Sequence, residues 1–106
     1  MTAFDLGPAD LADGGLRETS AGELSLGLAR VGDRWFAFET WCTHAECPLT
    51  DGWLEGEAVR CACHGSLFAL ATGEPLEGPA TEPIETFPVF LRDGRVLADV
   101  GTGDAA

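Results

Sequence analysis

Lysine is absent from this 106-residue chain, and its six basic residues, all arginines, face eighteen acidic ones. The net charge of −12 repels the phosphates of nucleic acids and anionic lipids, so neither is expected as a partner. No apolar run approaches the roughly 20 residues that a membrane-spanning helix needs. Because the first ten residues also lack the basic and apolar regions of a signal peptide, we expect a cytoplasmic protein without a membrane partner.

Long helix-forming stretches are missing as well. Fourteen glycines and six prolines interrupt the chain, and a short helical turn is expected only at residues 8–12. Short apolar or alternating runs predict β-strands instead, at 23–31, 35–38, 85–91 and 95–100. Asp93-Gly94 between the last two runs favours a tight hairpin, and Pro88 should lie at a sheet edge or a bulge. We therefore expect one all-β domain over residues 1–106, built as an antiparallel sandwich or barrel.

The chemistry-bearing residues are concentrated in one short segment. All four cysteines and both histidines lie between residues 42 and 64. The segment opens with Cys42 and His44 and closes with Cys61, Cys63 and His64. Two short loops thus each offer a thiolate and an imidazole. In the expected compartment such cysteines are metal ligands or reactive thiols more often than a disulfide framework.

The spacing of these residues distinguishes three kinds of chemistry. A single zinc ion could take two cysteines and two histidines, but zinc sites usually separate paired ligands by two to four residues, not by one. A plant-type 2Fe–2S cluster would need four cysteines in a pattern that is not completed here. Cys63 and His64 could form a catalytic pair, although sequence neighbours rarely face one another in the required geometry. The spacing favours an iron–sulfur cluster, with a zinc-stabilised module and a reactive thiol as alternatives.

The motif C-T-H, followed after sixteen residues by C-x-C-H-G-S, resembles that of Rieske proteins. The stretches DGWLEGEAVRC (51–61), LATGEPLEGPATEPIETFPV (70–89) and DGRVLADV (93–100) resemble the Rieske ferredoxins of bacterial aromatic-ring dioxygenase systems. The resemblance implies one Rieske-type 2Fe–2S cluster per chain, held in a small cluster-binding subdomain over about 41–78 of an antiparallel β-fold. By the same resemblance, Cys42 and Cys61 would ligate one iron, and His44 and His64 the other.

Further roles come from the same resemblance. Respiratory Rieske proteins join two extra cysteines in a disulfide at positions that correspond to Cys47 and Cys63, whereas most dioxygenase ferredoxins lack both. Two buried free thiols are the alternative to that bond. A third loop (77–80) would close over the cluster, and the residues that would tune it are Gly65, Ser66 and Pro79. A docking rim for redox partners would consist of Ala45, Glu46, Ala62, Gly65 and Leu67.

The implied function is that of a one-electron carrier, not of an enzyme. It would accept electrons from an NAD(P)H-dependent ferredoxin reductase and pass them to the terminal oxygenase of an aromatic-ring dioxygenase system. The chain has no glycine-rich fingerprint for a flavin or nicotinamide of its own. The alternatives are a small Rieske-like subunit of an assimilatory nitrite reductase and a zinc-stabilised module without a redox role.

The absence of tyrosine predicts where the reduction potential lies. Respiratory Rieske proteins raise their potential with a serine and a tyrosine, and this chain keeps Ser66 but has Phe68 at the tyrosine position. We therefore predict a midpoint in the lower part of the Rieske window of about −150 to +300 mV, somewhat raised if Ser66 donates a hydrogen bond to the cluster. A redox titration followed by electron paramagnetic resonance (EPR) measures it, and a midpoint in the upper third would contradict the prediction.

Overall fold

The structure, a computed structural model, describes residues 3–42, 47–63 and 65–100. Within these residues the chain forms β-strands and one 3₁₀ turn at Leu49–Asp51, as expected for an all-β protein. The strands are β1 (Ala3–Pro8), β2 (Leu16–Ala21), β3 (Leu24–Val31), β4 (Arg34–Glu39), β5 (Trp53–Glu55), β6 (Ala58–Arg60), β7 (Leu67–Ala69), β8 (Pro75–Glu77), β9 (Thr86–Phe87), β10 (Val89–Arg92) and β11 (Arg95–Asp99). None of the described helical residues forms a segment long and apolar enough to cross a bilayer.

The strands pair into three antiparallel sheets. The first sheet has the order β1-β11-β10, and the second has the order β2-β3-β4-β9. The third sheet, β5-β6-β7-β8, is a meander of consecutive strands that lies in sequence between β4 and β9. The third sheet is therefore an insertion into the second. The segment that holds all the cysteines leads into this third sheet and includes its strands β5 and β6.

The hairpin predicted at Asp93-Gly94 is confirmed, and a second tight turn joins β3 to β4. Asp93 and Gly94 join β10 to β11 with φ values of 54° and 76°, and Arg92 faces Arg95 across the turn. Positive φ at both central residues is the geometry that Asp-Gly accommodates in a two-residue hairpin. Gly32, with φ of 61°, begins the turn between β3 and β4 in the same left-handed region. Local turn chemistry thus fixes the register of both strand pairs.

One local expectation is wrong. Residues 8–12 form no helical turn, because Pro8 ends β1 and the amide of Ala9 continues that pairing by donating to the Gly94 carbonyl at 2.8 Å. Leu24, Leu26 and Leu28 alternate along β3, and they differ in burial: Leu24 is 45% exposed, whereas Leu26 and Leu28 are buried. Pro88 lies between β9 and β10, where the chain passes from the second sheet to the first.

The core is divided into two clusters of buried side chains. One cluster joins the first and second sheets and consists of Leu6, Ala21, Leu26, Leu28, Ala37, Val96 and Ala98. The other joins the second and third sheets and consists of Ala29, Phe36, Phe38, Cys42, Cys47, Leu49, Val59, Cys61, Phe68, Leu70, Ala80 and Ile84. Three of the four cysteines therefore belong to a dry, closely packed region rather than to the surface.

Gly73 fastens the end of the third sheet to the chain that returns to β9. Its φ is +81°, its amide donates to the Ala69 carbonyl at 2.7 Å, and its carbonyl accepts from the amide of Ile84 at 2.9 Å. A Cβ at this position would collide with the carbonyl of Ile84. Gly56 offers a matched comparison, since its φ is +61° but no atom lies within 4 Å of the added Cβ.

We predict that Gly73→Ala destabilises the protein more than Gly56→Ala. Both variants place a side chain in the left-handed region, which costs about 1–2 kcal/mol. Gly73→Ala adds a backbone collision, worth about 1–3 kcal/mol more. Denaturant-induced unfolding of the two variants and the parent protein measures the difference. Equal losses of unfolding free energy would show that the contact with Ile84 has no energetic weight.

Candidate metal centre

Two cysteine loops face each other at the border of the second and third sheets. In the first cysteine loop (42–47), the amide of Cys42 donates to the carbonyl of Cys47 at 3.0 Å. In the second cysteine loop (61–66), the amide of Cys61 donates to the carbonyl of Ser66 at 2.8 Å. Each loop thus begins with a buried cysteine whose amide bonds to the residue five positions later. We call these two bonds the neck hydrogen bonds.

The strands on either side of each neck explain why the loops form there. An isolated bridge pairs Trp41 with Pro48 at the base of the first loop, and the amide of Leu49 donates to the Thr40 carbonyl at 2.6 Å. The second loop connects β6 to β7, which are paired up to Arg60 and Leu67. The ends of both loops are therefore fixed by backbone pairing.

A disulfide joins the two loops. It links Cys47 of the first loop to Cys63 of the second, with 6.4 Å between their Cα atoms. The bond closes a segment with a sequence separation of 16 residues. Since Cys47 is buried and Cys63 is exposed, the bond runs from the core to the surface.

The remaining two cysteines supply the thiolates that a metal cluster would use. The Sγ atoms of Cys47, Cys61 and Cys63 lie within 4.8 Å of one another, but two of these are in the disulfide and are not thiolate donors. Cys42 and Cys61 stand outside it, 5% and 1% exposed, in the same core cluster. Two buried thiols at the start of two loops fit a cluster that takes two cysteine ligands, and do not fit one that takes four.

The third loop contacts the second loop through Ser66. The Ser66 side chain is fully buried, and its Oγ accepts a hydrogen bond from the amide of Ala80 at 3.0 Å. The hydroxyl hydrogen of Ser66 is not used in this bond, so it can be donated to a second group. Ala80 itself is 5% exposed, whereas Pro79, which follows a cis peptide bond, is exposed.

Arg60 forms a network of charges on the outer side of the second loop. Its guanidinium contacts Glu55 in two hydrogen bonds, of 2.8 and 2.7 Å, and Glu77 in one of 3.0 Å. A further bond of 2.8 Å reaches the carbonyl of Gly65. The hydrogen bonds from Arg60 and, secondarily, from the Trp53 indole lower the pKa of Glu55 to about 2. The Glu55 and Glu77 carboxylates raise the pKa of Arg60, so this group stays charged.

The structure places some of the predicted site residues and not others. Ser66 and Gly65 lie in the second loop, and Ala62 is exposed as a docking-rim residue should be. Leu67 does not fit the docking rim: it is 9% exposed, since it lies in β7 between β6 and β8. His44, His64, Ala45 and Glu46 lie outside the described residues.

Sequence reasoning missed Arg60 and Thr40 at this site, and it placed Ala80 in the third loop without its hydrogen bond to Ser66. Arg60 and Ala80 make the contacts just described, and Thr40 is 1% exposed with no hydrogen-bond partner for its hydroxyl among the described residues. For Arg60 there was one signal: it is an arginine, in an acidic chain, directly before a ligand-type cysteine. No signal of this kind marks Thr40.

We predict that alkylation of denatured, unreduced, metal-free protein labels Cys42 and Cys61 only. Reduction before alkylation should label all four cysteines, and peptide mass spectrometry identifies the sites. A Cys47→Ser/Cys63→Ser double variant is the control, and it should show two labels with or without reduction. Loss of the crosslink should lower the unfolding free energy by about 3 kcal/mol. Four labels in unreduced protein quenched directly from cells would contradict the bond.

Comparison with known proteins agrees with this arrangement. A family model described as Rieske [2Fe-2S] domain matches residues 4–88. The chain is similar to the ferredoxin CarAc of Metapseudomonas resinovorans, with 36% identity over 89 residues that cover 83% of each chain.

Two solved structures share both fold and sequence with the chain. The Sphingomonas yanoikuyae B1 ferredoxin has a TM-score of 0.88 and 30% identity, and covers 94% of this chain and 100% of its own. A complex of reduced oxygenase and oxidized ferredoxin in carbazole 1,9a-dioxygenase contributes a chain with a TM-score of 0.82 and 35% identity, covering 88% of this chain and 97% of that one. From the paired cysteine loops and these likenesses together, the chain belongs to the Rieske [2Fe–2S] family.

Proposed function

We propose that this protein is the ferredoxin component of an aromatic-ring dioxygenase system. It takes single electrons from an NAD(P)H-dependent ferredoxin reductase and passes them to the terminal oxygenase. The observation that carries the proposal is the pair of buried cysteines, Cys42 and Cys61, which lie outside the disulfide at the start of two facing loops. One similar relative is named as a ferredoxin, and one similar solved chain comes from a complex of oxygenase and ferredoxin, which supports a carrier rather than an enzyme.

The proposed ligands are Cys42 and Cys61 on one iron and His44 and His64 on the other. The cluster, when bound, supplies a centre that gains and loses one electron. Two thiolates with two sulfides neutralise two ferric ions, whereas four thiolates would leave two negative charges and make reduction harder. The disulfide of Cys47 and Cys63 keeps the two other sulfurs from becoming extra thiolate ligands.

The protein surroundings protect one side of the centre from water. Phe38, Val59 and Phe68 are fully buried in the core cluster that contains Cys42 and Cys61. A dry shell of this kind limits solvent access, which is one of the factors that set the potential of an iron–sulfur centre. Phe68 contributes shape but has no hydroxyl to donate toward the cluster, in keeping with a low potential.

We propose that partners dock at the tips of the cysteine loops. Ala62 is exposed and Gly65 is half-buried there, and Ala45 and Glu46 complete the proposed docking rim. Such a small contact area suits transient redox encounters, which bury less surface than stable complexes. Because the chain carries a net charge of −12, partner surfaces with basic residues would be attracted over a distance of about one Debye length.

The domain organisation and location are part of the proposal. One domain over residues 1–106 would contain the cluster-binding subdomain at about 41–78. The third sheet, β5–β8, lies inside these limits, and the cysteine loops border it, which supports the boundary. A cytoplasmic location follows from the proposed partner, since an NAD(P)H-dependent reductase draws on the nicotinamide pool of the cytoplasm.

We predict that the purified protein contains about two irons and two acid-labile sulfides per chain and gives a rhombic Rieske EPR signal on reduction. Cys61→Ser should abolish this signal, because it removes a proposed ligand. The Cys47→Ser/Cys63→Ser double variant is the matched control and should keep the signal. In stopped-flow experiments the reductase should reduce the protein and the oxygenase should reoxidise it. Zinc in place of iron, with no EPR signal, would overturn the proposal in favour of a zinc-stabilised module.

A further inference from the structure

We propose that Arg60 is a positioning residue: it ties the second cysteine loop to strand β8 and so sets the reduction potential and retention of the cluster. This inference rests on the proposed function. Four hydrogen bonds of 2.7–3.0 Å, to Glu55, Glu77 and the Gly65 carbonyl, connect three separate pieces of chain through one side chain. Arg60 is also the residue before Cys61, so the network begins at the proposed ligand.

The first argument concerns the backbone at Gly65. Gly65 has φ of +84°, and a glycine can leave this conformation easily because it has no Cβ. Its amide donates to the Cys61 carbonyl at 3.1 Å, and its carbonyl accepts from Arg60 at 2.8 Å. The amide and the carbonyl of Gly65, the residue after His64 in the sequence, are therefore both held by hydrogen bonds. Without Arg60, the carbonyl of Gly65 would lose this hydrogen bond, while the amide of Gly65 would keep its bond to Cys61.

The second argument concerns the third loop (77–80). Arg60 contacts Glu77, the first residue of this loop, and Ser66 contacts Ala80, the last one. The second and third loops are thus joined at two points, one exposed and one fully buried. Removing Arg60 would leave the Ser66–Ala80 bond, together with the strand pairing of Leu67 with Glu77 directly after the second loop, to hold the two loops together. Arg60 therefore holds the loop that carries Ser66 in register with the loop that caps it.

The third argument is electrostatic. The Arg60 side chain is 19% exposed, whereas Arg34, which pairs with Glu57, is 58% exposed. An ion pair as exposed as Arg34–Glu57 contributes little to the free energy of unfolding, whereas a less exposed network of several charges contributes more. Replacing Arg60 by a neutral residue would also leave the Glu55 and Glu77 carboxylates uncompensated beside the second loop. Added negative charge stabilises the oxidised state of the cluster, so the midpoint potential should fall.

The test compares four variants of the cluster-loaded protein: Arg60→Met, Arg60→Lys, Glu77→Gln and the control Arg34→Met. For each variant we would measure the midpoint potential by EPR-monitored titration, the rate of cluster loss to a chelator, and the denaturant midpoint. Arg60→Met should have a lower potential than the parent and lose its cluster about tenfold faster, as for other residues that orient metal ligands. Arg34→Met should match the parent in potential and in cluster loss.

The other two variants separate charge from geometry. Arg60→Lys keeps the positive charge but lacks the planar fork, so its potential should stay near that of the parent while cluster loss becomes faster. Glu77→Gln removes a negative charge, so its potential should rise. These directions would not follow if Arg60 served stability alone, and they can be measured even if Arg60→Met fails to fold.

The outcomes distinguish this inference from the proposed function. A parent protein with a Rieske signal, together with Arg60 and Glu77 variants that match Arg34→Met in potential and cluster loss, would overturn the role of Arg60 only. A parent protein that binds no reducible cluster would overturn both proposals.

Discussion

The two neck hydrogen bonds, from Cys42 to Cys47 and from Cys61 to Ser66, are the constraint on which the rest of the site depends. Each brings the two ends of a six-residue loop together, so that a buried cysteine stands beside the residue that anchors the loop to its neighbour. In the first loop that residue is Cys47, which makes the disulfide, and in the second it is Ser66, which bonds to Ala80. The same backbone geometry thus supports two different kinds of crosslink.

Arg60, one of the six basic residues, makes contacts that depend on the shape of its side chain as well as on its charge. Arg60 satisfies two carboxylates and a backbone carbonyl at once, which the planar guanidinium does better than the point charge of an ammonium group. The surrounding acidity gives the protein a strongly negative surface, and a lone carboxylate near the second loop would disfavour reduction of the cluster. Pairing Glu55 and Glu77 with one arginine keeps the negative surface while it limits this effect.

The sequence predicted the parts of the structure that local chemistry decides. Asp93-Gly94 specified its hairpin because few residue pairs accept positive φ at both positions. The sequence did not predict strands β5–β8, because each has three residues and is too short to show a periodic pattern. The Arg60 network was also hidden, because its partners Glu55, Gly65 and Glu77 meet only after the meander has folded. Leu67 was placed in the docking rim for a similar reason, since its burial depends on β8.

The disulfide has a consequence for how the cofactor is inserted. Cys42 and Cys61 are separated by 18 intervening residues, but each lies within five residues of a half-cystine, Cys47 or Cys63. In a chain that has lost its cluster, or has not yet received one, the bond therefore holds both thiols within a short tether of each other. The conformational entropy of the segment between the two thiols is lost once, when the Cys47–Cys63 disulfide forms. The two thiols then meet at an effective concentration on the order of millimolar, as for groups joined by short flexible linkers. The crosslink thus keeps the two thiols near each other in a chain that holds no cluster.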